Sequence, residues 1–157
     1  MNETVAYKLF WIPIFIIGVF LMILGPRWMI VEEPWLLDQV ANEAALGMSF
    51  QALFSADINH SLPDYLRIIY RFFGLWVTAI GVLFCSVTLA FELKAKLPRY
   101  IVLWINALIL LSSLYLGYTK IPSSPFIYLM WFFVGLNVLS NYGSFRLDRL
   151  QGKSDLE

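Results

Sequence analysis

One apolar run decides the fold: residues 72–91 read FFGLWVTAIGVLFCSVTLAF and carry no charged side chain. An α-helix of about 20 such residues crosses the hydrocarbon core of a bilayer. The run lacks the alternation of apolar and polar residues that a strand of a transmembrane barrel requires. Because only helices and closed barrels satisfy their backbone hydrogen bonds in lipid, the run predicts a transmembrane helix.

The apolar runs of the chain are bounded by serine, proline and glycine, which mark the beginnings and ends of helices. Gly25-Pro26 ends the first run, Ser61-Leu62-Pro63-Asp64 opens the second, and Ser124-Pro125 opens the fourth. The predicted spans are about 5–25, 64–93, 98–119 and 125–144. The sequence therefore predicts an all-α fold, a four-helix transmembrane bundle forming one integral membrane domain over 1–157, with a tail at 145–157.

The connections between the predicted spans differ greatly in length. Short links follow spans two and three, so spans two, three and four are expected to be antiparallel neighbours. The outer loop at 26–62 is long and rich in large apolar side chains, and residues 33–56 are predicted to form one or two short amphipathic helices broken near Gly47. These side chains can be buried in the lipid interface, on top of the bundle or in a neighbouring subunit. The length of the loop favours the neighbouring subunit.

The charges predict an orientation and exclude one class of partner. The chain has 11 Lys and Arg and 11 Asp and Glu, so it lacks the basic surplus of a nucleic-acid binder. Lysines and arginines near span ends favour the cytoplasm. Seven share the side of the termini and four the side of the loop: Lys8, Lys94, Lys96, Arg99, Arg146, Arg149 and Lys153, against Arg27, Arg67, Arg71 and Lys120. Both termini are predicted to be cytoplasmic, with membrane lipids as partners.

Small residues recur on one face of the second span, at intervals of four, three, four and three. They are Gly74, Thr78, Gly81, Cys85 and Thr88. Small side chains let helix backbones approach closely, which matters in lipid because the hydrophobic effect does not drive helices together there. The face is expected to pack against another span of the same chain, and a contact between identical subunits is the alternative.

Polar side chains at membrane depth form a second set of candidates. Asn106 and Ser113 share a face of the third span, and Asn137 and Asn141 share a face of the fourth. All three amides are predicted to lie toward the cytoplasmic ends of adjacent antiparallel spans, so we expect a direct amide pair or one bridged by water or a ligand. Unpaired amides are costly in hydrocarbon. The set is either interhelical glue or the lining of a site for a small polar or amphiphilic ligand.

Arg67 and Arg71 lie four residues apart at the outer boundary of the second span. Two arginines at this spacing repel one another unless an anion lies between them. Asp64 is expected to pair with Arg67, and an acidic side chain of the loop to fold back on Arg71. A lipid phosphate is the alternative anion for this pair.

The sequence contains no recognisable catalytic motif. The single histidine, His60, lies in a loop, and the single cysteine, Cys85, excludes an intramolecular disulfide. We predict no catalytic residue, no metal site and no cofactor. The leading hypothesis is a non-enzymatic membrane subunit or scaffold with a protein partner or in a homo-oligomer. The alternatives are a binder or enzyme for a lipophilic small molecule within the bundle, and an oligomeric channel or transporter.

The segment Arg71-Phe72-Phe73-Gly74, followed by Gly81, is similar to that of DoxX-like proteins, which are small bacterial membrane proteins with four helices. In these proteins too, an outer loop precedes a helix that opens with an arginine and has glycines seven residues apart. The resemblance covers roughly residues 9–92. It implies a bacterial inner membrane protein that is an accessory subunit of a membrane redox assembly or has no known activity, and it transfers no catalytic residue.

Overall fold

The computed structural model of the chain describes residues 2–90 and 93–154, except for the side chains of 153 and 154. Within these residues the chain is helical and has no strand. The α-helices are α1 (Glu3–Ile30), α2 (Gln39–Leu46), α3 (Phe50–Ser55), α4 (Leu62–Ala90), α5 (Lys96–Lys120) and α6 (Phe126–Ser154). Two 3₁₀ turns, Pro34–Asp38 and Asp57–Asn59, complete the loop between α1 and α4. The predicted all-helical class is confirmed.

Four helices, α1, α4, α5 and α6, are long and apolar enough to cross a membrane. They correspond to the four predicted spans. The fourth extends beyond residue 144, so that the predicted tail continues as helix to Ser154. The predicted end of the second span at residues 91 and 92 and the last three residues of the tail, 155–157, lie outside the described residues.

The predicted end of the first span at Gly25-Pro26 is wrong, because α1 continues through this pair to Ile30. A proline inside a helix removes one backbone hydrogen bond and costs about 3 kcal/mol. Packing just beyond it opposes that cost. The ring of Trp28 lies 5.1 Å from that of Phe73 on α4 and 5.2 Å from that of Phe126 on α6. Tertiary contacts thus extend the helix past a local stop signal.

α1 is the central helix of the bundle. It packs in antiparallel orientation against α4 with one face and against α6 with another, and α5 packs against α6. The expectation that α4 and α5 are neighbours is therefore wrong, although only a short connection joins them. Their backbones approach one another only marginally, because α1 occupies the place beside α4.

The contact between α1 and α4 depends on glycines on both helices. A Cβ atom at Gly25 would lie 2.7 Å from the carbonyl oxygen of Gly74, and one at Gly81 would lie 2.7 Å from that of Gly18. Carbon atoms do not come this close to backbone oxygens, so no larger residue fits at these positions without moving a helix. The small face of the second span therefore lies against α1.

A glycine also allows one close backbone contact between α1 and α6. A Cβ atom at Gly143 would lie 2.4 Å from the backbone nitrogen of Phe10. Three residues away, Ser140 donates a hydrogen bond of 2.5 Å to the carbonyl oxygen of Phe10. Both α6 residues are buried, and so are the neighbouring Ile14 and Ile17 of α1. Two close backbone approaches, on different faces of α1, thus place α4 and α6 beside it.

The loop between α1 and α4 is ordered as a cap on the bundle. Trp35 is 2% exposed and packs against the rings of Phe50 and Phe54, at 6.1 and 5.3 Å. The side-chain amide of Asn42 donates to the Trp35 carbonyl at 2.9 Å and to the Tyr70 hydroxyl on α4 at 3.2 Å. The aromatic side chains of the loop are therefore buried by their own chain.

The aliphatic side chains of the loop are exposed in this structure: Leu36, Val40, Leu46 and Met48. The break between α2 and α3 falls at Gly47, whose φ of 70° is left-handed. Beside it, hydrogen bonds from the Gln39 side chain and from the Phe50 backbone lower the pKa of the Glu43 carboxyl. The loop thus divides into an aromatic cap and an outer surface with exposed aliphatic side chains.

We expect Gly81→Leu to destabilise the protein by the upper part of the about 1–3 kcal/mol that overpacking costs, because its side chain meets the backbone of α1. Thermal unfolding in detergent measures this change. Gly135→Leu is the matched control, since a Cβ atom there meets nothing within 4 Å. The same melting temperature for both variants would contradict the close contact.

Candidate functional site

Antiparallel pairing of α5 with α6 brings most of the predicted polar residues together. Arg99 at the start of α5 reaches Ser144 on α6, and a Cβ atom on Gly117 would lie 3.2 Å from Ile127. These contacts fix the register between the two helices. In this register Asn106 lies level with Asn137 and Asn141, as the sequence predicts for antiparallel spans.

A buried arginine anchors the end of this interface. The side chain of Arg99 is fully buried. Its Nε donates to the Ser144 hydroxyl at 2.9 Å, and its two terminal nitrogens donate to the Lys94 carbonyl and to the Asp148 carboxylate. The Tyr100 hydroxyl donates to the second oxygen of Asp148. All the donor nitrogens of the guanidinium group thus have partners on α6 or on the connection before α5.

Reasoning from the sequence did not identify this ion pair. From the sequence, Arg99 is only one of the positive charges that predict the orientation, and Asp148 has no role. The signal was present, because Arg99 follows the proline that opens α5 and Asp148 lies at the corresponding level of the antiparallel α6. Pairing α5 with α6 and then comparing charges at the same level would have found it.

The predicted direct amide pair between α5 and α6 does not form. The side-chain nitrogen of Asn141 donates to the side-chain oxygen of Asn137, at 2.8 Å, on the same helix. Asn106 is 1% exposed, and neither its oxygen nor its nitrogen has a partner among the described residues. Ser113 lies half-buried two turns farther along α5. No direct hydrogen bond joins Asn106 to α6, and the bridged form stays a prediction.

The two arginines of the outer boundary have different surroundings. Arg67 forms an ion pair with Asp64 at 2.7 Å, and its Nε donates to the backbone carbonyl of Glu32 at 2.8 Å. Arg71 is exposed, and no carboxylate of the described residues forms an ion pair with it. The loop therefore folds back on Arg67, through a carbonyl group, and leaves Arg71 available to an anion.

The polar side chains on the small face of α4 form hydrogen bonds within the contact between α1 and α4. The Thr78 hydroxyl donates to the Gly74 carbonyl at 2.8 Å, and that of Thr88 to the Phe84 carbonyl at 2.7 Å. The Cys85 sulfur lies 3.9 Å from the Phe15 carbonyl of α1. These groups have partners inside the helix pair, so the face serves packing in this structure.

An open apolar cleft of about 440 Å³ separates α4 from α5. Eight apolar residues line it: Leu83, Phe84, Val87, Leu93, Pro98, Ile101, Val102 and Ile105. It exists because α1 pairs with α4 and α6 pairs with α5, which leaves these two helices apart. The lining has no titratable side chain, so the cleft can bind an apolar group but offers it no acid or base. Elsewhere, no three potential ligands among the described residues are grouped to hold a metal ion.

Removing one member of this ion pair is expected to cost up to about 3–5 kcal/mol, because the other charge keeps only its neutral hydrogen-bond partners and loses its countercharge. We therefore expect Arg99→Met and Asp148→Leu each to lower thermal stability strongly, and the double variant to be more stable than the sum of the two effects predicts. Arg149→Met is the control, since its guanidinium lies over the exposed Phe145 ring, at 4.4 Å. Strictly additive losses would show that the two charges do not interact.

No protein-family model matches the chain, and neither a curated protein nor a solved structure is detectably similar to it. The resemblance of residues 71–81 to DoxX-like proteins therefore stays a prediction. The geometry of the cleft and of the α5–α6 interface supplies the basis for a functional proposal.

Proposed function

We propose that the chain is an integral membrane protein of a bacterial inner membrane and a non-enzymatic subunit of a larger assembly. The single observation that carries the proposal is the open side of the bundle between α4 and α5. A partner helix or a lipophilic molecule can fill that side.

The arrangement of α5 supports this role. α5 packs closely only against α6, and large apolar side chains on its other faces are exposed, among them Trp104 at 75%, Leu108 at 67% and Leu111 at 65%. Lipid can cover such side chains, but a concave cleft is filled better by a complementary surface. In membranes, tight packing rather than the hydrophobic effect drives helices together. A partner helix placed against α4 and α5 gains such packing on two sides.

The chemistry of the cleft supports binding over catalysis. Its lining consists entirely of apolar side chains. Proton transfer needs a titratable group within hydrogen-bonding distance of the reacting atoms. The DoxX-like resemblance agrees with this view, because it implies an accessory subunit of a membrane redox assembly.

The same cleft favours a second candidate function, the binding of a lipophilic small molecule. Its volume of about 440 Å³ falls within the roughly 300–1,000 Å³ typical of ligand sites. The two functions differ in what fills the cleft, so one experiment can separate them.

We expect Ile105→Trp and Leu83→Trp, which fill the cleft, to remove the bound species, whereas Leu108→Trp is the control because Leu108 does not line the cleft. Native mass spectrometry after extraction in mild detergent identifies the species. A bound protein supports the subunit, and a bound small molecule supports the second function. A parent protein that carries neither, or variants that retain what the parent carries, would contradict both.

The proposed orientation places both termini in the cytoplasm. The antiparallel arrangement brings Lys8, Lys94, Lys96 and Arg99 to one end of the bundle with the end of α6, and the loop to the other end. A reporter that is active only in the cytoplasm should be active when fused after Glu157 and inactive when inserted at Gly47. The opposite pattern would reverse the orientation.

A further inference from the structure

Three buried polar atoms at the middle of the α5–α6 interface have no partner among the described residues. They are the side-chain oxygen and nitrogen of Asn106 and the side-chain nitrogen of Asn137. An amide left unpaired away from water has lost its hydrogen bonds to water without gaining others in their place. Three such atoms at one level of a single interface indicate that something besides the protein binds them.

The position of Asn106 makes the site unusual. Asn106 is ten residues from Lys96 along α5, about 15 Å at the rise of an α-helix. The hydrocarbon core of a bilayer is about 30 Å thick, so a bilayer whose boundary lies at Lys96 would have this amide near its centre, deeper than the sequence predicts. Bulk water does not reach this depth, and any oxygen found there must be held specifically.

The unpaired atoms define the chemistry of their partner. Two amide nitrogens, on Asn106 and Asn137, each require an acceptor, and the Asn106 oxygen accepts from a donor. The Asn137 oxygen does not need one, since Asn141 already donates to it at 2.8 Å. A hydroxyl oxygen meets all three requirements, because it accepts two hydrogen bonds and donates one. Water and the hydroxyl group of a membrane alcohol both provide it.

We propose that one hydroxyl oxygen is bound between Asn106 and Asn137 at the centre of the α5–α6 interface. Three asparagine side chains of increasing burial lead from the protein surface to this site. Asn141 is exposed on the surface of α6, Asn137 is half-buried and Asn106 is fully buried. These amides form a polar path from the lipid-facing surface to the site, so a hydroxyl group can enter sideways from the bilayer.

The first test is the melting temperature of the full chain in lipid nanodiscs. Asn106→Leu should lower it by about 2–4 °C, because the variant loses a satisfied polar site. Asn137→Leu should also lower it, and the double variant should fall by less than the sum. Ser113→Ala with Asn137→Leu is the control pair, and its effects should add because Ser113 lies about 10 Å from Asn106 along α5.

Two further measurements distinguish the sources of the hydroxyl group. Transfer of magnetisation from water to the Asn106 side-chain nitrogen in solid-state NMR identifies a bound water. A bound alcohol detected by native mass spectrometry, and lost in Asn106→Leu, identifies a membrane alcohol. The proposal is overturned if Asn106→Leu leaves the melting temperature unchanged or raises it, if the two asparagine variants add, or if neither source is detected.

Discussion

The close approach of two glycine pairs decides how the four long helices are arranged. Gly18 faces Gly81 and Gly25 faces Gly74, so the backbones of α1 and α4 touch where side chains would normally separate them. Gly143 allows a similarly close approach between α6 and another face of α1, at Phe10. With these two faces of α1 occupied, α5 packs mainly against α6. The cleft between α4 and α5 is a consequence of these contacts.

α5 is held by a different kind of interaction. Where α1 uses backbone contact, α5 uses the buried ion pair of Arg99 with Asp148 at one end and the contact of Gly117 with Ile127 at the other. Taking two charges out of water is costly, and a buried pair of this kind is stabilising only while both partners and their hydrogen bonds are intact. The helix with the fewest neighbours therefore depends most on polar groups, which also explains why the unpaired amides lie in this interface.

Local sequence patterns predict the helices. The features that they do not predict depend on contacts between residues far apart in the sequence. Length and hydrophobicity are properties of each segment, so the four long helices and the break at Gly47 followed from the sequence. The order of the helices did not, because a short connection suggested that α4 and α5 pack together. Gly18 and Gly25 have the same spacing of seven as Gly74 and Gly81, and this match was not used. The pairing of Arg99 with Asp148 also depends on contacts between helices, so the sequence pattern alone does not predict it. In the same way, Pro26 predicts the end of a helix, and only the packing of Trp28 against other helices explains why α1 continues.

The central position of α1 also bears on how the protein is made. α1 leaves the ribosome before both of the helices that pack against it, so each later helix meets a partner that has already been synthesised. α4 can pair with α1 across the ordered loop before α5 has been synthesised. α5 must then wait for α6, its only close neighbour, and so it is the last helix to be fixed. During that interval the apolar faces of α5 that α6 later covers are exposed.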